Sequence, residues 1–191
     1  MKSTTTILLL ILVVFWGCTE NKRLETTGSL HFSLKDSILQ NPIALIYAED
    51  NYQLFYNYTV DGDEKCGLAE SKDLVNWNNK PMVFESDEKA SQNIKTVVND
   101  WNQTTDYSEE TSALIAFGVD ADQPGTLTVL YSNNNGSSWK QDTENTIILA
   151  DFYEPVQDVK VFWNEETQSW NLLTLSGYEV RFYSSEDLKK W

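Results

Sequence analysis

The segment Ser71-Lys72-Asp73-Leu74-Val75-Asn76-Trp77 recurs near the other end of the chain as Ser185-Glu186-Asp187-Leu188-Lys189-Lys190-Trp191. A looser copy lies between them, Ser132-Asn133-Asn134-Asn135-Gly136-Ser137-Ser138-Trp139. Each copy follows an apolar run, makes a polar turn and closes on Trp. The runs around the copies are short and rich in β-branched and aromatic residues, which predicts strands at Ile43–Ala48, Tyr52–Tyr58, Lys65–Ser71, Ala113–Gly118 and Thr126–Ser132. Ile147–Ala150, Val159–Trp163, Trp170–Leu175 and Glu179–Ser184 continue the series. Glu49-Asp50-Asn51, Val60-Asp61-Gly62-Asp63-Glu64, Glu165-Glu166-Thr167 and Ser176-Gly177 read as the turns between them. Helical period is confined to single turns near Lys72–Val75 and Glu186–Lys189. The chain therefore reads as all-β. Repetition of a unit of about one four-stranded antiparallel sheet predicts a β-propeller, with a β-sandwich as the alternative.

Composition narrows the partners. With 29 acidic against 14 basic side chains the net charge is −15, so nucleic acid and anionic membrane surfaces would repel the protein. Seven Trp, nine Tyr and only four Pro among 191 residues are enough for one domain with a sizeable core. Residues 1–17 read as a signal peptide: Lys2 supplies the positive end, and the apolar run Ile7–Trp16 is too short to span a bilayer. Gly17-Cys18 resembles a bacterial lipobox, despite Trp16 where a small residue is usual. Cys18 is then the lipid-accepting residue, residues 18–30 a polar tether, and the protein an exported lipoprotein held in the cell envelope, at periplasm or cell surface, by its lipid alone. An ordinary signal or a short anchor is the alternative. Cys66 would remain as a lone thiol, a small buried hydrophobe with no disulfide partner.

The first strand carries a special lead-in, Ile38-Leu39-Gln40-Asn41-Pro42-Ile43-Ala44-Leu45-Ile46-Tyr47. Pro42 pushes Asn41 toward extended geometry, at the mouth of a run that reads as a buried strand. With His31-Phe32 this stretch resembles the opening segment of glycoside hydrolase family 32, the β-fructosidases (invertases, inulinases, levanases). Asn51–Tyr58 is similar to the family's second strand, and Cys66-Gly67-Leu68-Ala69-Glu70 through Trp77 to its Trp-Gly-His-Ala-x-Ser-x-Asp-Leu-x-x-Trp run. Val97-Val98-Asn99-Asp100-Trp101-Asn102 resembles its Val-Val-Asp-Trp-Asn segment, and Gln157-Asp158-Val159-Lys160-Val161-Phe162-Trp163 its Arg-Asp-Pro-Lys-Val-Phe-Trp. The resemblance runs from His31 to Trp191. It implies a five-bladed propeller, of which residues 31–191 would form about two and a half to three blades. An open propeller edge would then call for a partner chain to cover it, unless the sequence is a piece of a longer frame.

The same resemblance places candidate chemistry and shows where it departs. A retaining glycosidase needs two carboxyl groups about 5–5.5 Å apart. Asn41 occupies the nucleophile position, where the family has Asp, and an amide cannot form the glycosyl ester. Asp158 retains the position of the transition-state stabiliser. Gln40, Asn57 and Gln157 occupy substrate-binding positions held in the family by Asn, Gln and Arg. Leu68 stands for the family's His, its Phe-Ser-Gly-Ser segment is missing near Ser91–Thr96, and the Glu of its Glu-Cys motif would fall after Trp191. The expected ligand is a fructose-containing oligo- or polysaccharide, with hydrolysis impaired. The alternative is a non-catalytic glycan-binding lipoprotein at the surface.

Neither a cofactor nor a metal is called for. Asp61, Asp63 and Glu64 around Gly62 could ligate calcium but read as a solvated hairpin turn. Asn134 lies at the Asp position of a sialidase-type Asp-box, a structural turn of propellers. His31 is the only histidine and reads as packed near the propeller entry, which leaves little for a zinc site or a Ser-His-Asp triad.

Overall fold

The computed structural model describes residues 32–34, 37–85, 93–107, 112–120, 123, 125–149 and 155–191. The leader, Cys18, the tether, His31 and Ser91 lie outside the described residues. Within His31–Trp191 the described segments form three successive sheets, antiparallel apart from one short strand of the second, and no helix. The first sheet is β1 (Ile38–Ala48), β2 (Asn51–Val60), β3 (Asp63–Ser71) and β4 (Asn78–Lys80), in chain order. The second is built on β6 (Ile94–Asp100), β7 (Ala113–Val119), β8 (Thr126–Ser132) and β9 (Ser138–Gln141). Two short strands extend it: β5 (Val83–Phe84) runs parallel to β9, and β10 (Ile147–Ile148) pairs with β8. The third is β11 (Asp158–Asn164), β12 (Ser169–Ser176) and β13 (Glu179–Ser185). Of the first strands, β6 neighbours both β1 and β11. Sheets that each start at a shared centre and run outward are a partial β-propeller.

Two layers of side chains join the sheets. Ile43, Phe55, Cys66 and Leu68 of the first sheet pack on Ile94, Val97, Leu114, Ala116, Leu130 and Trp139 of the second. On the opposite face of the second sheet, Val98, Ile115, Phe117, Leu127 and Val129 pack on Val159, Val161, Trp170 and Leu172 of the third. Strand β7 therefore divides its alternate residues between two cores. This is why Ala113-Leu114-Ile115-Ala116-Phe117 is one uninterrupted apolar run, buried throughout.

The three Trp-closed turns share one wiring. Ser71 Oγ accepts from Leu74 N (2.9 Å), Asp73 Oδ1 accepts from Val75 N (2.9 Å) and Asn76 N (2.7 Å), and Trp77 Nε1 donates to Leu74 O (3.1 Å). In the last copy Asp187 Oδ1 accepts from Lys189 N and Lys190 N, and Trp191 Nε1 donates to Leu188 O at 3.2 Å. In the middle copy Ser132 Oγ accepts from Gly136 N, Asn134 Oδ1 accepts from Ser138 N, and Trp139 Nε1 donates to Gly136 O at 2.9 Å. The residue three before each Trp is left-handed: Leu74 (φ 62°), Gly136 (φ 81°) and Leu188 (φ 58°). That conformation stops a helix, so the single helical turns expected at Lys72–Val75 and Glu186–Lys189 are irregular turns instead.

Two-residue hairpins set the register elsewhere. Glu49-Asp50 (φ 49° and 60°) and Asp61-Gly62 (φ 53° and 93°) are both left-handed pairs, the geometry that matches strand twist. Asp61, Asp63 and Glu64 thus belong to a hairpin turn and its strand; among the described residues no three acidic, Cys or His side chains converge to hold a metal. The expectation that Ile43–Ala48 is a buried strand needs correction. Only Ile43 is buried, while Leu45 and Tyr47 are 57% and 60% exposed, because β1 is an edge strand with one face open. The short strands β4 and β9 and the mixed strand β6 carried too few apolar residues to be read from sequence, and β5 is only two residues long.

Candidate carbohydrate site

The strands at the shared centre bound a cleft of ≈ 470 Å³. Its walls are Asn41, Pro42 and Ile43 of β1, Asn57 of β2, Lys95 of β6, Gln157, Asp158 and Lys160 at the start of β11, and Leu175 of β12. Four of the five site residues expected in this domain, Asn41, Asn57, Gln157 and Asp158, meet here. They come from segments separated by more than half the chain.

Local backbone chemistry explains the aim of each. The β1–β2 register shifts on both sides of Pro42, between Leu39 and Pro42 and between Pro42 and Ala44. Pro42 has no N–H to give to the ladder, which an edge strand tolerates, and a bulge re-aims the residues beside it. Asn41 consequently turns into the cleft. Gln40 does not line it; its Nε2 donates to Thr59 Oγ1 across the strand pair. Asn57 lies on the inner face of β2 and is 1% exposed. Its Nδ2 donates to Ile94 O at 3.0 Å, while Oδ1 has no partner. A buried carbonyl oxygen left unpaired is costly, which marks this atom as an unmet acceptor in the cleft wall.

Asp158 opens β11 and is the one carboxylate lining the cleft among the described residues. Its Oδ1 accepts from Val159 N at 2.9 Å and lies 3.4 Å from Lys160 Nζ. Lys160 Nζ also donates to Lys95 O at 3.0 Å, tying β11 to β6 beneath the cleft. The carboxylate and the ammonium are each about half exposed, so the pair itself contributes little to stability, about 0–1 kcal/mol. Its role is geometric, fixing Asp158 over the floor. Lys95 and Lys160 were missed as site residues. Lys160 had a signal, since Asp158 and Lys160 are two apart on a strand and share a face. Lys95 had none without knowing β6.

Asp100 and Trp170 serve the scaffold. Asp100, wholly buried at the end of β6, accepts from the backbone N–H and hydroxyl of Thr104 and Thr105 at 2.8–2.9 Å, which folds the following loop. Trp170 Nε1 donates to Thr104 Oγ1 at 2.8 Å and carries that loop onto the third sheet. Cys66 is an unpaired thiol in the first core, and burial pushes its pKa up to about 12. Of the Trp residues, Trp139 and Trp170 are core, whereas Trp101 stands 61% exposed outside the cleft.

The model of the glycosyl hydrolases family 32 N-terminal domain matches residues 31–191. The chain belongs to this family. The levanase of Bacillus subtilis is 29% identical over 167 residues, a match covering 84% of this chain and 25% of that protein. The extracellular exo-inulinase of Aspergillus awamori is 27% identical and covers 86% of this chain and 37% of its own. The crystal structure of exo-inulinase from Aspergillus awamori superposes with a TM-score of 0.65 at 23% identity, over 84% of this chain and 38% of that one. Fructan 1-exohydrolase IIa from Cichorium intybus gives 0.62 at 18% identity, over 84% and 32%. The family 32 chain described here thus spans a quarter to two-fifths of the length of these relatives, and the structural matches support the propeller architecture.

Proposed function

We propose that the cleft is a β-fructosidase-type site that recognises a fructose-containing oligo- or polysaccharide without hydrolysing it. The carrying observation is that Asn41 and Asp158 line one cleft, with an amide at the position the resemblance gives to the nucleophilic carboxylate of retaining hydrolysis. An amide at Asn41 cannot form the glycosyl ester, which removes the covalent step. What remains suits recognition. The Asn57 Oδ1 acceptor, the Asp158 carboxylate and the amides of Asn41 and Gln157 are hydrogen-bonding groups suited to vicinal sugar hydroxyls. In this reading Asp158 grips ligand hydroxyls, Asn57 reads one from below, and Gln40 acts only through the shape of β1.

Delivery to the cell envelope through residues 1–17, with lipid on Cys18 as the anchor, places such a module where polysaccharide arrives. Relatives named as extracellular support export. The test is calorimetric titration of the full chain with sucrose, inulin and levan fragments, beside an assay for released fructose. Saturable binding without turnover is expected, and Asp158→Ala abolishes the binding. Turnover that survives purification and disappears in Asp158→Ala overturns the proposal.

A further inference from the structure

The apolar lining of the cleft is Pro42, Ile43 and Leu175, and among the described residues no aromatic ring belongs to it. Ligand sites generally join a few hydrogen-bonding groups to apolar and aromatic surface, so the nearest ring at the cleft rim bears on what is bound. Leu175 leads to one. It lies opposite Asp158 on β11 and Val180 on β13, so a single row across the third sheet runs from the cleft carboxylate to the last strand. Leu175 O accepts from Gln157 N at 2.7 Å, which ties the end of β12 to a second cleft residue. One residue further the pairing closes at Ser176–Glu179, leaving Gly177-Tyr178 as a two-residue hairpin turn. Gly177, at φ 57°, takes the left-handed first position of that turn, which glycine adopts without steric cost. Just past the turn, Glu179 Oε2 accepts from Arg181 Nε at 3.0 Å and Nη2 at 2.7 Å. Tyr178 therefore stands on a short, defined turn, three residues and at most about 11 Å along the chain from the cleft wall. Its side chain is fully exposed and adds nothing to either core. Val180 is 54% exposed beside Leu175, so apolar surface continues out of the cleft along this row.

Resting on the reading above, we propose that Tyr178 and the Leu175–Val180 row form an outer subsite for the sugar units that extend beyond the cleft, so that the preferred ligand is a saccharide of several units and not a disaccharide. Tyr suits this place: its ring offers a flat apolar face to the C–H side of a sugar, and its hydroxyl stays in water. The experiment is calorimetric titration of the full chain with sucrose and with fructo-oligosaccharides of three and of five units. Affinity should rise at least fivefold from sucrose to the longest ligand. Tyr178→Ala should remove that rise while leaving sucrose binding unchanged, and Tyr178→Phe should keep it, since the ring face is retained. An affinity that does not rise with length, a Tyr178→Ala protein that matches its parent at every length, or one that loses all three ligands equally overturns the outer subsite while leaving the cleft reading standing. Failure of the parent chain to bind any of the three overturns both.

Discussion

Gly136→Ala probes the packing of the first two sheets at one atom. Gly136 holds φ 81°, and an added Cβ would sit 3.1 Å from two ring carbons of Phe55 and 3.4 Å from a methyl of Leu68. Phe55 is fully buried, and its ring meets Trp139 edge-on at 6.0 Å, so it has nowhere to retreat. The left-handed backbone costs a residue with a Cβ about 1–2 kcal/mol, and overpacking a filled core costs about 1–3 kcal/mol more. The sum is about 2–5 kcal/mol, which for a domain of this size lowers Tm by roughly 4–20 °C. Thermal and urea unfolding followed by Trp fluorescence measures it. The same position holds Leu in the two flanking copies; Leu188 is buried in the core between the second and third sheets, whereas Leu74 is 43% exposed. Leu74→Gly should therefore be nearly neutral, within about 1 kcal/mol, since relief of backbone strain offsets the lost contact. A Gly136→Ala protein as stable as its parent would refute the packing of the Trp-closed turn onto Phe55.

Further outcomes follow from the same structure. Asp100→Ala strips the acceptor from four hydrogen bonds and should cost about 2–4 kcal/mol in chemical unfolding. Asn57→Leu should weaken saccharide binding at least tenfold in titration while changing Tm only modestly, because one bond to Ile94 O is lost and an unpaired oxygen disappears with it. Hydrogen bonds, from Asn76 above all, hold the Asp73 carboxyl well below the usual carboxylate range. A depressed carboxylate stabilises the fold at neutral pH and gives that stability up as pH falls. Asp73→Asn keeps the turn, as Asn134 does in the middle copy, so its deficit in Tm at pH 7 should shrink steadily below about pH 4. The neutral Cys66 thiol should resist alkylation at pH 8 in the folded chain, with label on its peptide, mapped by mass spectrometry, appearing only on unfolding. Because its pKa is raised by the fold, the stability tied to its neutral form should fade as pH climbs from 9.0 toward about 12.

The Ser–Asp–Trp repeat made the architecture legible because a turn's side-chain wiring is local and survives when sheet faces drift. The chain order of hydrogen-bonding partners is fixed within seven or eight residues, and two copies keep Ser, Asp, Leu and Trp and differ at the three positions between them. Strand β7 was equally plain, since burial on both faces leaves no polar residue to interrupt it. What escaped were strands defined by neighbours. Val83-Phe84 is a strand only because β9 lies beside it, and Ile94–Asp100 interrupts its apolar residues with Lys95, Thr96 and Asn99, of which Lys95 lines the cleft. The cleft followed the same division. Asn41 and Asp158 could be named from short motifs, whereas Lys95 becomes part of the site only once β6 stands between β1 and β11. The exposure of Leu45 and Tyr47 depends on what covers the first sheet, which no residue of β1 encodes.

The most direct measurement sets binding against turnover in one sample. The full chain is titrated calorimetrically with a short fructo-oligosaccharide, and the same solution is then assayed for released fructose after prolonged incubation. The account predicts saturable heat that Asp158→Ala removes, with no fructose above the buffer control. Fructose release that Asn41→Ala or Asp158→Ala eliminates, or no saturable heat with any fructoside, would contradict it.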